Sequence, residues 1–101
     1  NGNIPYIGID SEGSAGAPNS NNTVEGCNIY DFRFNDGGTR LGRAISLRTN
    51  NSAWTLKNNS VYLTNTQFVG SGNTTVDGAI WIENSGTDYL VDGNFIGGTA
   101  P

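Results

Sequence analysis

Histidine is missing from this chain, cysteine occurs once, and the five Lys and Arg residues form no cluster. Without histidine the usual Ser/His and Cys/His catalytic pairs and imidazole metal sites are excluded. Cys27 stands alone, so it closes no internal disulfide. A net charge of −4 without a basic patch disfavours a nucleic-acid partner. No apolar run approaches the roughly 20 residues of a membrane-spanning helix, so no membrane partner is expected. Charged residues are only 14% of the chain, too few for charge-driven disorder. No window of roughly ten residues has helical spacing. No Asp-x-Asp-x-Asp-Gly run points to calcium, and neither a metal site nor a cofactor is expected. The start, Asn1-Gly2-Asn3, has neither an initiator Met nor a signal-peptide pattern. That suits a processed product or a segment of something longer.

What is abundant is turn chemistry. Gly and Asn occur 15 times each, with Ser and Thr frequent and Val, Ile, Tyr, Phe and Trp spaced among them. This composition predicts short strands joined by many turns. The strands recur. Pro5-Tyr6-Ile7-Gly8-Ile9-Asp10-Ser11, Gly42-Arg43-Ala44-Ile45-Ser46-Leu47-Arg48 and Gly78-Ala79-Ile80-Trp81-Ile82-Glu83 each open one pass through a common unit. Ile7, Ile45 and Ile80 fall 38 and 35 residues apart. A second marker, apolar-x-(Asn/Gly/Asp)-x-x-apolar, falls at Val24 to Ile29, Leu63 to Phe68 and Leu90 to Phe95. Its starts are 39 and 27 residues apart.

Two markers repeating in one order, with loops of varying length between them, predict a solenoid. The units run approximately over 4–41, 42–77 and 78–98 of a single 1–101 domain. Each supplies three short strands, and equivalent strands stack into parallel sheets. Ile7, Ile9, Ile45, Leu47, Ile80 and Ile82 line the first sheet's interior. Leu63 with Leu90, and Ile29 with Phe68 and Phe95, line the others. Ala53-Trp54-Thr55-Leu56 reads as a small extra strand, and Tyr30–Phe34 as an extension of the strand at Cys27-Asn28-Ile29. Corner Asn residues satisfy turn backbone and stack as a ladder. Three units are few, so the stack is expected to continue in further chain or another subunit. An antiparallel sandwich or barrel also has short strands and many turns. It has no cause to repeat two markers in order.

Leu63-Thr64-Asn65-Thr66-Gln67-Phe68-Val69-Gly70, Leu90-Val91-Asp92-Gly93-Asn94-Phe95-Ile96-Gly97 and the Ala-Ile-x-Ile/Leu strands carry a resemblance. The pattern resembles the right-handed parallel β-helix of the pectate-lyase-like superfamily, which includes phage tailspikes. It covers most of residues 4–98. The resemblance implies an extracellular or virion-surface protein that binds, and in some members cleaves, cell-surface polysaccharide, sometimes as a trimer. It transfers no catalytic residue.

Strand alternation places candidate chemistry. With the isoleucines inward, Gly8, Ser46 and Trp81 form one outer column, and Asp10, Arg48 and Glu83 the next. Neighbouring strands lie about 4.8 Å apart, which sets Asp10 and Glu83 roughly 9–10 Å apart across Arg48. Trp81 and Trp54 are candidate sugar platforms, and Arg48 a fork for carboxylate or hydroxyl groups. Asp10 and Glu83 are candidates for the acid and base of glycoside hydrolysis, at the upper edge of the inverting spacing. The bland reading is a solvent-facing ion ladder, with Trp54 covering the outside of a sheet. Asp31 and Asp36 suit strand ends and turns, and Cys27 a small inward or corner position as an inert core thiol. Asn21, Asn50, Asn58 and Asn73 begin Asn-x-Ser/Thr triplets, which arise readily by chance in a chain of this composition. A purely structural stalk or adhesin module is the competing function.

Overall fold

The structure, a computed structural model, describes residues 5–32, 42–64 and 78–101. In chain order the strands are β1 (Ile7–Ser11), β2 (Asn19–Ser20), β3 (Thr23–Glu25), β4 (Asn28–Tyr30), β5 (Arg43–Leu47), β6 (Asn51–Ser52), β7 (Thr55–Lys57), β8 (Ser60–Tyr62), β9 (Gly78–Ile82), β10 (Leu90–Asp92) and β11 (Phe95–Ile96). The described residues are all-β, with no helix among them. The strands form separate parallel sheets, β1-β5-β9, β10-β7-β3, β11-β8-β4 and the small β2-β6. Each three-stranded sheet takes one strand from each pass of the chain. Strands buried on their inner face and hydrogen-bonded on both sides favour apolar, β-branched side chains.

The core lies under the middle strands. Ile45, Leu47 and Leu56 are fully buried and Val61 nearly so. Burying each contributes about 1.5–3 kcal/mol relative to exposure. Strict alternation fails at the start of β5. Ala44 and Ile45 are consecutive, yet both belong to the core. The same step in β1 is Gly8, where an added Cβ would come within 2.8 Å of the Ala44 carbonyl oxygen and 2.9 Å of Ile29. Only glycine fits that approach.

Corners repeat as conformations. Gly26, Asn58 and Gly93 each follow a strand of one sheet, Glu25 pairing with Lys57 and Lys57 with Asp92. Their φ angles are 64°, 52° and 62°. Two residues before the same strands stand Asn21, Ala53 and Asp88, at 57°, 53° and 64°. This left-handed region suits Gly, Asn and Asp and disfavours Ala. The residue after the first corner builds the expected ladder. The Asn59 Oδ1 accepts from the Cys27 amide at 3.0 Å, and the Asn94 Oδ1 accepts from the Asn59 amide at 3.0 Å. The Asn59 Nδ2 donates to the Val24 carbonyl, and the Asn94 Nδ2 to the Leu56 carbonyl.

Several expectations are corrected. The second strand of the middle pass is Thr55–Lys57 and its corner is Asn58-Asn59, so the marker of that pass falls at Leu56 to Val61 rather than starting at Leu63. Ala53-Trp54-Thr55-Leu56 is therefore no extra strand. Leu90 pairs with Thr55, and Phe95 with Ser60, so neither stands in an inner column. The expected inner position of Phe68 lies outside the described residues. β4 stops at Tyr30 because Asp31 turns left-handed, at φ 53°. Cys27 sits at a corner but is exposed rather than in the core.

Candidate functional site: the outer face of the first sheet

The register of β1, β5 and β9 fixes the outer columns. Ile9, Ile45 and Ile80 align, then Asp10, Ser46 and Trp81, then Ser11, Leu47 and Ile82. The first pass is thus displaced by two residues from the register expected of Ile7 and Ile45. Asp10 stands level with Ser46 and Trp81, not with Arg48 and Glu83. The next outer position is filled by Glu12, Arg48 and Glu83, since the Arg48 amide bonds to the Ser11 carbonyl and the Glu83 amide to the Leu47 carbonyl. Ser11 takes the inward place that Leu47 and Ile82 hold elsewhere. Its hydroxyl donates to the Asn51 Oδ1 at 2.8 Å and accepts from the Asn19 Nδ2 at 3.1 Å, so the polar group is satisfied.

Arg48 turns toward β1. Its Nε and Nη2 donate to the two Asp10 carboxylate oxygens at 3.0 and 2.8 Å. Its Nη1 lies 2.9 Å from a Glu12 oxygen. This fork-on-carboxylate geometry is the strong form of the pair, though it stands in solvent. The Asp10 hydrogen bonds raise the guanidinium pKa above its ordinary value, against a lowering by desolvation, and the charges of Asp10, Glu12 and Glu83 add to the rise. Asp10 and Glu83 therefore do not flank Arg48.

Glu83 instead meets Arg43. The Arg43 Nη1 is 3.3 Å from the Glu83 Oε2 and 3.1 Å from the Ser46 Oγ. The Arg43 side chain is 4% exposed and that of Glu83 is 58% exposed. The Arg43 guanidinium carbon lies 4.3 Å from the centre of the Trp81 ring, a cation–π contact. Arg43, Trp81 and Glu83 form one unit, in which Trp81 is half-buried and fixed against the sheet. Trp54 takes no part. It is 7% exposed and packs within the core cluster, so it offers no face to a sugar ring and does not cover the outside of a sheet.

Sequence reasoning missed Arg43 and Glu12. Glu12 follows from extending the outer column once the register is right. Arg43 had no signal in alternation, because the break at Ala44 brings its head to the outer face. No group of three or more Cys, Asp or Glu residues that could hold a metal ion occurs among the described residues. No family model, curated protein or solved structure matches this chain.

Proposed function

We propose that the chain is a segment of a right-handed parallel β-helix, three coils of three short strands, that binds polysaccharide through Trp81. Parallel pairing of equivalent strands from successive passes supports the solenoid, as do the two columns of left-handed corners. The hand is taken from the resemblance to the pectate-lyase-like superfamily, as is an extracellular or virion-surface setting.

The observation that carries binding is the Arg43–Trp81–Glu83 unit. A sugar ring stacks on a flat aromatic face, and a ring already fixed by a buried guanidinium loses little freedom on binding. The exposed Glu83 carboxylate stands beside it to accept from hydroxyl groups. Binding is favoured over cleavage, because the carboxylates of Asp10 and Glu83 each face a guanidinium rather than each other. Titrating the full chain with capsular and lipopolysaccharide glycans tests this reading, with the Trp81 indole N–H resonance as reporter. A glycan that shifts it should lose its effect on Trp81→Ala. A resonance unmoved by every glycan overturns it.

The structural-module reading has its own observation. Arg48, Asp10 and Glu12 are consumed in pairs with one another, as expected of a face that stabilises register. If Trp81→Ala leaves polysaccharide attachment of a parent assembly unchanged, this scaffold role is the better account.

A further inference from the structure

The last strands expose what earlier ones bury. Ile82, Val91 and Ile96 are 38, 49 and 55% exposed, yet stand in register with Leu47, Leu56 and Val61, which are at most 2% exposed. β9, β10 and β11 are each an outer strand of their sheet. An apolar recess lined by Phe32, Val61, Leu63, Ala79 and Ile96 opens beside them.

Two further patterns run toward this face and stop there. The Asn ladder is open. Cys27 donates its amide to Asn59 and Asn59 to Asn94, while the Asn94 amide has no acceptor among the described residues. The outer charges also alternate along two columns: Glu12, Arg48, Glu83 on the first sheet, and Glu25, Lys57, Asp92 on the second.

We infer that this face takes a further polypeptide coil of the same repeat, carrying an Asn beneath Asn94 and a Lys or Arg beneath both Glu83 and Asp92. The inference rests on the solenoid reading and adds to it the side-chain chemistry of the occupant. Apolar residues of that coil continue the columns of Ile82, Val91 and Ile96, and its backbone pairs with the open strand edges. A second copy stacked in the same register fits poorly. It would set Glu12 beneath Glu83 and Glu25 beneath Asp92, two like-charge contacts, and Cys27 beneath Asn94.

The test extends the full chain after Pro101 with a designed coil joined by a flexible linker. One coil carries apolar residues in three columns, Gly-Asn at the corner and Lys at the two charged positions. A second replaces both Lys with Glu, and a third replaces the Asn with Ala. Amide hydrogen exchange is read at Asn94, Phe95 and Ile82, with sedimentation to follow self-association. The first coil should slow exchange at Asn94 about tenfold or more, with the other two protecting it less. The double variant Glu83→Lys, Asp92→Lys should reverse the preference between Lys and Glu coils. Equal protection by all three coils, or none by any, overturns the inference. Protection of the unextended chain that grows with its own concentration also overturns it, making a second copy the occupant. Failure of the solenoid itself would show separately, as missing cross-strand contacts between β1, β5 and β9 in the unextended chain. The glycan response at Trp81 is read on the unextended chain with Glu83 intact, so the binding reading stands or falls separately.

Discussion

Replacing Asn59 with alanine should be among the most damaging single changes in this chain. The Asn59 side chain donates to the Val24 carbonyl and the Asn94 Oδ1, both at 2.9 Å, and accepts from the Cys27 amide at 3.0 Å. It is 1% exposed, so water cannot readily replace these partners. Each bond is worth about 1 kcal/mol net, and leaving a buried partner unsatisfied costs about 1–3 kcal/mol. Asn59→Ala should therefore cost about 3 kcal/mol, against a total of about 5–15 kcal/mol for a domain of this kind. The thermal midpoint should fall by roughly 10–20 °C. Asn59→Asp separates acceptor from donor. It keeps an oxygen for the Cys27 amide but cannot donate and buries a charge, so its loss should be at least as large. Asn28→Ala, at an exposed position, is the control and should shift stability by less than about 0.5 kcal/mol. Urea and thermal unfolding followed by circular dichroism measure all three. An Asn59→Ala midpoint indistinguishable from that of Asn28→Ala would refute the ladder as a stabilising element.

The corrected register makes its own prediction: Leu56→Ala should cost about 2–5 kcal/mol as a cavity in the core, and Leu90→Ala, which is 49% exposed, less than about 0.5 kcal/mol. Equal losses in denaturant unfolding would contradict the pairing of Leu90 with Thr55. Ala53, held at φ 53°, should gain about 0.5–1 kcal/mol on Ala53→Asn and lose stability on Ala53→Val, read as shifts in thermal midpoint. Arg48→Ala should move the unfolding midpoint little but flatten its dependence on salt. Because pairing raises the Arg48 pKa, its contribution is fully present below the ordinary guanidinium value and is lost only as pH climbs past the raised value. The substitution should add no slope to stability between about pH 6 and 9, and a new slope there would count against it.

The opening strands were legible because Ile-x-Ile recurs beside small residues and turns. Their register was not. Side-chain direction repeats every two residues, so sliding β1 by two keeps every isoleucine inward and leaves the hydrophobic pattern unchanged. What decides is Gly8, whose lack of a Cβ admits Ala44 and Ile29, and Ser11, an inward hydroxyl tolerated because Asn51 and Asn19 bond to it. The corner marker failed for a related reason. Leu56-Lys57-Asn58-Asn59-Ser60-Val61 satisfies it as well as Leu63 to Phe68 does, and Val91 to Ile96 as well as Leu90 to Phe95. The frame is selected by which residue turns left-handed, and Asn58 and Gly93 do so. For the candidate site, alternation placed Trp81 and Glu83 on the outer face, where the register sets them. Arg43 was hidden by the break at Ala44, and Trp54 was misplaced because its strand was not seen to pair with β3.

Hydrophobic columns hold these sheets together but cannot tell one even register from another, so polar groups must. Arg48 spans a diagonal, gripping Asp10 from one column and Glu12 from the next, and a two-residue slip of β1 would break at least one of these contacts. Asn59 and Asn94 fix the corners in the same way, because each amide oxygen reaches one backbone N–H of its neighbour. These groups contribute modestly to stability when exposed and more when buried, yet all of them discriminate between pairings that apolar burial leaves equal. Groups committed to register are poorly placed to serve a ligand as well, since a ligand that drew Arg48 from Asp10 and Glu12 would loosen β1. The outer face therefore has two parts. The Asp10–Arg48–Glu12 cluster is committed to register, and the Trp81 ring with the exposed carboxylate of Glu83 is the part that the proposed binding would use.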